Sequence, residues 1–265
     1  MERALIFRIL TGVVALPVLY LLIDAGGRWF TLWVALVSLI GGWEWWRLQA
    51  RPAGGSGLLL ILAGIGLLLA AVVGGQSGYA LPAGAGLFLL LLVVGLVGEA
   101  HEAVDRPGRM VVGMLYLGVL PAFLVLMRAL PHGREILILT YATVFICDTA
   151  AYGAGSWLGR RPLWRRVSPG KTWEGALAGL LAAVLSALGG ALWFAAFLGP
   201  AAAIGFGLIV GTCGQVGDLV ESRWKRIAGF KDSSMLIPGH GGVLDRFDNL
   251  HFVAPLLYLY LLLLG

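Results

Sequence analysis

Charge is what this chain lacks. Only 12% of its 265 residues are Asp, Glu, Lys or Arg, 59% are hydrophobic, and mean hydropathy is +0.90. An ordinary soluble domain is about a quarter charged, so this composition excludes one. Cysteine is almost missing: Cys147 and Cys213 stand alone, with no CxxC and no histidine at ligand spacing. That excludes a disulfide framework and leaves two small buried apolar residues. His101, His132, His240 and His251 form no metal-ligand spacing, and no Ser-His-Asp set or nucleophile elbow is present. The long apolar stretch at the N-terminus is followed by no small-x-small cleavage site, so it reads as a first transmembrane helix rather than a signal peptide. The net charge of +5 does not call for nucleic acid. Its basic residues gather in a few loops, where anionic membrane lipid is the natural partner.

Long apolar runs are abundant. Nine of them predict an all-α, polytopic membrane bundle, because in lipid every backbone polar group needs an internal partner. They are Leu5–Ile23, Trp29–Leu48, Gly57–Gly74, Leu81–Val97, Val111–Leu130, Ile136–Trp157, Trp173–Leu198, Ala201–Leu219 and Leu250–Leu264. Threading these spans puts sixteen of the 19 basic residues on one side and leaves Arg28, Arg128 and Arg134 on the other. The positive-inside rule then sets the N-terminus in the cytoplasm and the C-terminus outside. Residues 1–265 form one membrane domain, with 1–134 as scaffold and 135–265 as catalytic helices and cytoplasmic loops. The run GGWEWWRL ending the second span reads as an interfacial aromatic belt, in which Glu44 either snorkels to the headgroups or faces the bundle. Gly175–Gly179 and Gly207–Gly211 have the small-xxx-small spacing of closely packed helices. Asp24, Arg28, Glu99, Glu102, Asp105 and Glu135 read as ordinary loop charges.

Against this apolar background, the 31 residues from Asp218 to Asp248 hold ten of the 33 charged side chains. Ionisable groups beside lipid cost roughly 2.5–3.5 kcal/mol each at a helix centre, so such a concentration reads as a functional site. Asp218 and Glu221 share a helix face at i and i+3, and Asp245 and Asp248 repeat the spacing at the start of the last span. Two such pairs at neighbouring helix ends suit Mg²⁺ holding a polyphosphate. Ordinary ion pairing, Asp245 with Arg246 and Glu221 with Lys225, is the competing account. Asp148, inside the sixth span, is a further candidate ligand. Ser168, Lys171 and Thr172 open the seventh span with hydroxyls, a cation and a helix N-terminus for an anion. Their GKT is not a P-loop: Arg165 stands where that motif needs Gly, and no strand is expected before it. Between Lys231-Asp232 and Asp245, the glycines flanking His240 leave backbone N–H groups free for an anion.

These segments resemble the phosphatidate cytidylyltransferases. Ser222, Lys225-Arg226, Lys231-Asp232, the His240-Gly241-Gly242 turn and Asp245-Arg246-Phe247-Asp248 follow that family's C-terminal signature. Asp148-Thr149-Ala150-Ala151-Tyr152, Ser168 to Thr172 and Gly214 to Asp218 are similar to it as well. The resemblance covers about the last 120 residues. It implies transfer from CTP to phosphatidate in the bacterial inner membrane, with Mg²⁺, leaves a second, monovalent ion open, and suggests a homodimer. On this reading Asp218, Asp245 and Asp248 hold the metal, with Glu221 and Asp148 as further candidates. Lys171, Lys231 and Arg246 meet the substrate phosphates, and Ser168, Thr172, Ser222, Lys225, Arg226, His240, Gly241 and Gly242 assist. A CTP-dependent polyprenol or phytol kinase would need a base to activate a hydroxyl. An ion-coupled transporter would need broken helices in both halves of the chain, whereas the charged motifs all lie in the second.

Overall fold

The computed structural model describes residues 2–49, 55–74, 106–237 and 241–264. The expected span Leu81–Val97, the charges Glu99, Glu102 and Asp105, and His240 lie outside them. The helices are α1 (Glu2–Ala25), α2 (Gly27–Arg47), α3 (Gly55–Gly74), α4 (Arg106–Gly118), α5 (Ala122–Ala129), α6 (Gly133–Leu158), α7 (Trp173–Trp193), α8 (Pro200–Ile227) and α9 (Leu244–Leu264). Among the described residues, Gly108–Ala129, Gly133–Leu158, Trp173–Trp193, Pro200–Ile227 and Leu244–Leu264 are long and apolar enough to cross a membrane. The chain is thus a mainly helical, membrane-embedded protein.

Helix α7 illustrates how sequence sets packing. Leu177, Leu181 and Leu185 recur every fourth residue on an exposed face, while Gly175, Gly179, Ala183 and Ala187 line the buried one. Small residues let backbones approach: a Cβ on Gly179 would lie 3.0 Å from the Cys147 carbonyl of α6, and one on Gly207 of α8 2.5 Å from Val184 Cα of α7. Both small-residue motifs are therefore engaged within the chain. Packing runs in order through α6, α7, α8 and α9, with Phe206 and Phe252 fully buried.

The bundle has two distinct ends. At one, Arg128 donates to the Ile23 and Asp24 carbonyls (2.7 and 3.1 Å), and Arg134 pairs with Asp24 at 2.6 Å. Asp24 is therefore an ion-pair partner rather than a spare loop charge. The other end carries a feature the all-α expectation missed: β1 (Pro162–Trp164) pairs antiparallel with β2 (Ser168–Thr172). The hairpin lifts the GKT out of any loop and delivers Thr172 as the N-cap of α7, its hydroxyl accepting from Gly175 N at 3.2 Å.

Three further differences have plain causes. The expected fifth span is split between α4 and α5, where Pro121 cannot continue a helix. Helix α8 runs beyond Leu219 to Ile227, because Glu221 and Lys225, four apart, are ion-paired on one face. The aromatic belt is partly internal: Trp45 is 6% exposed, packs edge-on against Trp224 at 4.8 Å, and donates Nε1 to the Arg109 carbonyl at 3.0 Å.

Candidate active site

Three helices and the hairpin bring a carboxylate cluster together at the hairpin end. Asp218 of α8 meets Lys171 of β2 at 2.5 Å, both side chains about one-third exposed. One turn on, Ser222 Oγ donates to Asp218 Oδ1 at 3.2 Å. Asp218 lies within electrostatic range of both Asp148 of α6 and Asp248 of α9. The Asn249 amide of α9 donates to both Asp148 oxygens, at 3.0 and 2.8 Å, so Asp148 faces the bundle and is held by a neutral donor. The structure thus brings Asp148, Lys171, Asp218 and Asp248 together from widely separated segments. Asn249 was missed, because an uncharged amide beside an aspartate gives no signal of its own.

A second carboxylate set lies beneath the loop joining α8 to α9. Lys225, buried, reaches Asp245 Oδ1 at 2.5 Å and Glu221 Oε1 at 3.1 Å. Asp245 Oδ2 accepts from Ser233 N (3.0 Å), Ser233 Oγ (2.9 Å) and Gly242 N (2.9 Å). Asp245, expected as a metal ligand, accepts protein donors on both oxygens, as Asp148 and Asp218 do, and its donors Ser233 and Gly242 belong to the loop itself. Lys225, expected to assist with substrate, is likewise held by two carboxylates. The Glu221–Lys225 part of the ion-pairing account is therefore present, joined to Asp245.

Glu44, whose direction the sequence left open, is fully buried and faces the bundle. Its carboxylate accepts from Ser234 Oγ (2.5 Å), Ser233 Oγ (3.1 Å), Val243 N (2.9 Å) and Leu244 N (2.7 Å). Val243 immediately precedes α9 and Leu244 begins it, so this is a helix N-terminus capped from 200 residues away. The glycines make room for it. Gly241 has φ +86°, and a Cβ on Gly242 would stand 2.6 Å from Glu44 Oε1. Glu44, in the segment read as scaffold, therefore organises the signature loop.

The remaining candidates divide by position. Lys231 and Asp232 are exposed on that loop. Arg226 donates to the Phe230 carbonyl at 3.3 Å and serves the turn after α8. Arg246 lies within electrostatic range of Asp148. The Arg160 and Arg161 backbone N–H groups donate to Glu174 at 3.2 and 3.3 Å, tying the hairpin to the first turn of α7. Ser168 begins β2, partly buried.

The donor chemistry suits a hard divalent cation. Among the described residues, Lys171, Lys225 and Arg246 lie near the carboxylates of Asp148, Asp218, Glu221, Asp245 and Asp248. Glu221 Oε2 accepts no hydrogen bond among the described residues. Buried like charges in such number are stabilised by a bound cation. Among the described residues no three acidic, His or Cys side chains stand at coordinating spacing. Lys171 occupies Asp218 and Asn249 occupies Asp148.

Comparisons with known proteins give the family. The sequence profile of the cytidylyltransferase family matches residues 6–264. A phosphatidate cytidylyltransferase of Pseudomonas aeruginosa is 38% identical, with 94% of this chain and 93% of that protein aligned. One from Brucella suis is 37% identical over 96% of this chain and 92% of its own length. One from Synechocystis sp. is 31% identical over 97% and 96%. With the match running through the first half as well as the signature segments, this chain belongs to the cytidylyltransferase family.

Proposed function

We propose that the protein transfers CMP from CTP to phosphatidate, giving CDP-diacylglycerol and pyrophosphate. A phosphatidate oxygen bonds to the α-phosphorus of CTP as the bond to the β-phosphate oxygen breaks, and pyrophosphate leaves. The observation that carries this reading is the meeting of Lys171 and Asp218, with Asp148 and Asp248, where apolar helices end. A lipid phosphate with a second pKa near 6 is already largely ionised at neutral pH, so no general base is needed. The work left to the chain is to hold two polyanions in line. Lys171 and Arg246 offset phosphate charge. The Ser168 hydroxyl and the N-terminal amides of α7 supply further donors, and Lys231 reaches from the loop.

Asp218, Asp248 and Asp148 are the residues that would hold Mg²⁺, which supplies charge neutralisation at the transferred phosphoryl group. Asp245 and Glu221, with Lys225 between them, hold the loop instead. The protein sits in the bacterial inner membrane with nine spans, N-terminus and active site cytoplasmic. Helix direction supports this: α3 and α4 lie side by side and point the same way, Gly64 against Met114 and Gly118 against Leu68, as they must when a span separates them.

Purified protein given radiolabelled CTP and phosphatidate should yield lipid-linked cytidine and pyrophosphate. A phosphorylated alcohol formed from a polyprenol would make it a kinase instead. No CTP consumption with either acceptor would overturn the transferase reading.

A further inference from the structure

A cleft of about 570 Å³ opens between the end of α2 and the loop after α8. Its floor is Ser233 and Ser234, whose hydroxyls are already bonded to Glu44 and Asp245. Arg47 and Lys231 line it, opposed by the single carboxylate of Asp232. The Arg47 guanidinium lies over the Trp43 ring at 4.9 Å, an arrangement that fixes the cation without neutralising it. The lip is apolar and open: Met235 is 91% exposed, Leu236 49% and Phe230 45%. A cationic cleft with an exposed apolar lip at the end of a membrane helix matches an amphiphile, with its phosphate inside and its first methylenes on the lip. A nucleotide triphosphate would leave Met235 and Leu236 without a partner.

We propose that this cleft seats the phosphate headgroup of the acceptor lipid as it enters the site, with Arg47 and Lys231 on the phosphate and Phe230, Met235 and Leu236 against the chains. The proposal rests on the lipid-acceptor reading above and extends the site to α2. Ser233 on the cleft floor also bonds Asp245, itself paired with Lys225 of α8, so the cleft is fixed to the loop that joins α8 to α9. Arg47 is exposed and makes no ion pair among the described residues, so its removal breaks none.

The test uses the full chain in nanodiscs. Arg47→Ala should raise the KM for phosphatidate about tenfold while the KM for CTP stays within twofold, and Arg47→Lys should recover part of the loss. Separately, phosphatidate with brominated chains should quench tryptophan fluorescence more than brominated phosphatidylcholine, and Trp43→Phe should abolish that excess. A rise in the KM for CTP alone would make the cleft a nucleotide site and overturn the proposal. Unchanged KM values with equal quenching by both lipids would overturn it as well. If the wild-type protein makes no lipid-linked cytidine, the transferase reading fails, and the quenching comparison still decides the cleft.

Discussion

Glu44 gathers the Ser234 hydroxyl and two backbone amides on one carboxylate and shares the Ser233 hydroxyl with Asp245. Replacing it by Gln puts an NH2 against groups that can only donate or must rotate away, leaving buried N–H groups unmatched at about 1–3 kcal/mol each. Glu44→Gln should therefore lower the melting temperature by several degrees and kcat/KM at least tenfold, read by thermal unfolding and the radiolabelled CTP assay. Unchanged values in both would show that the carboxylate does not order the loop. Asp218→Asn tests the metal assignment by a route besides turnover. It should abolish a tight Mn²⁺ site followed by electron paramagnetic resonance, along with at least a hundredfold of activity, whereas a retained Mn²⁺ site would remove Asp218 from the ligand set. The contrast between these residues explains what the sequence could reveal. Asp148, Asp218 and Asp248 were legible because a carboxylate in an apolar run is costly enough to need a reason. Glu44 and Asn249 were not, since their partners lie 189–200 and 101 residues away and nothing local marks the pairing.

Helices were legible wherever apolar runs were long, and less so where a few residues decide. The α4–α5 break turns on Pro121, and the β1–β2 hairpin on eleven residues too short and too basic to show a two-residue alternation. The small-residue motifs make a sharper prediction. A Cβ on Gly207 would stand 2.5 Å from the Val184 backbone, while one on Gly189, exposed on α7, meets nothing within 4 Å. Gly207→Ala should therefore force α7 and α8 apart and cost about 1–3 kcal/mol. Gly189→Ala should stabilise by up to about 1 kcal/mol through helix propensity. Thermal unfolding of both variants in one detergent checks the pair, and similar shifts would mean that close approach of the two backbones is not what Gly207 provides.

At the scale of the molecule, Arg128, Arg134 and Asp24 gather at one end and the carboxylate clusters at the other. Three of the exposed tryptophans sit at helix termini, Trp157 ending α6, Trp173 beginning α7 and Trp193 ending it, as lipid headgroups on two faces require. In a cysteine-free background, a cysteine added after Gly265 should react with an impermeant thiol reagent from the outer face of intact cells, and one at Arg165 only after permeabilisation. Labelling at both positions in intact cells would overturn the orientation and with it the count of nine spans.

The Glu44 contacts also impose an order in time. At a synthesis rate of about 5–20 residues per second, Ser233 to Leu244 emerge roughly 10–40 s after Glu44. For that interval α2 waits in the bilayer with a carboxylate whose serine and amide donors have not yet been made. Its place in the last turn of the helix, where water still reaches it, is what lets the wait be tolerated. In ribosome-stalled chains ending at residue 232 the Glu44 carboxylate should react with a water-soluble carbodiimide, and in chains extended well beyond α9 it should be protected.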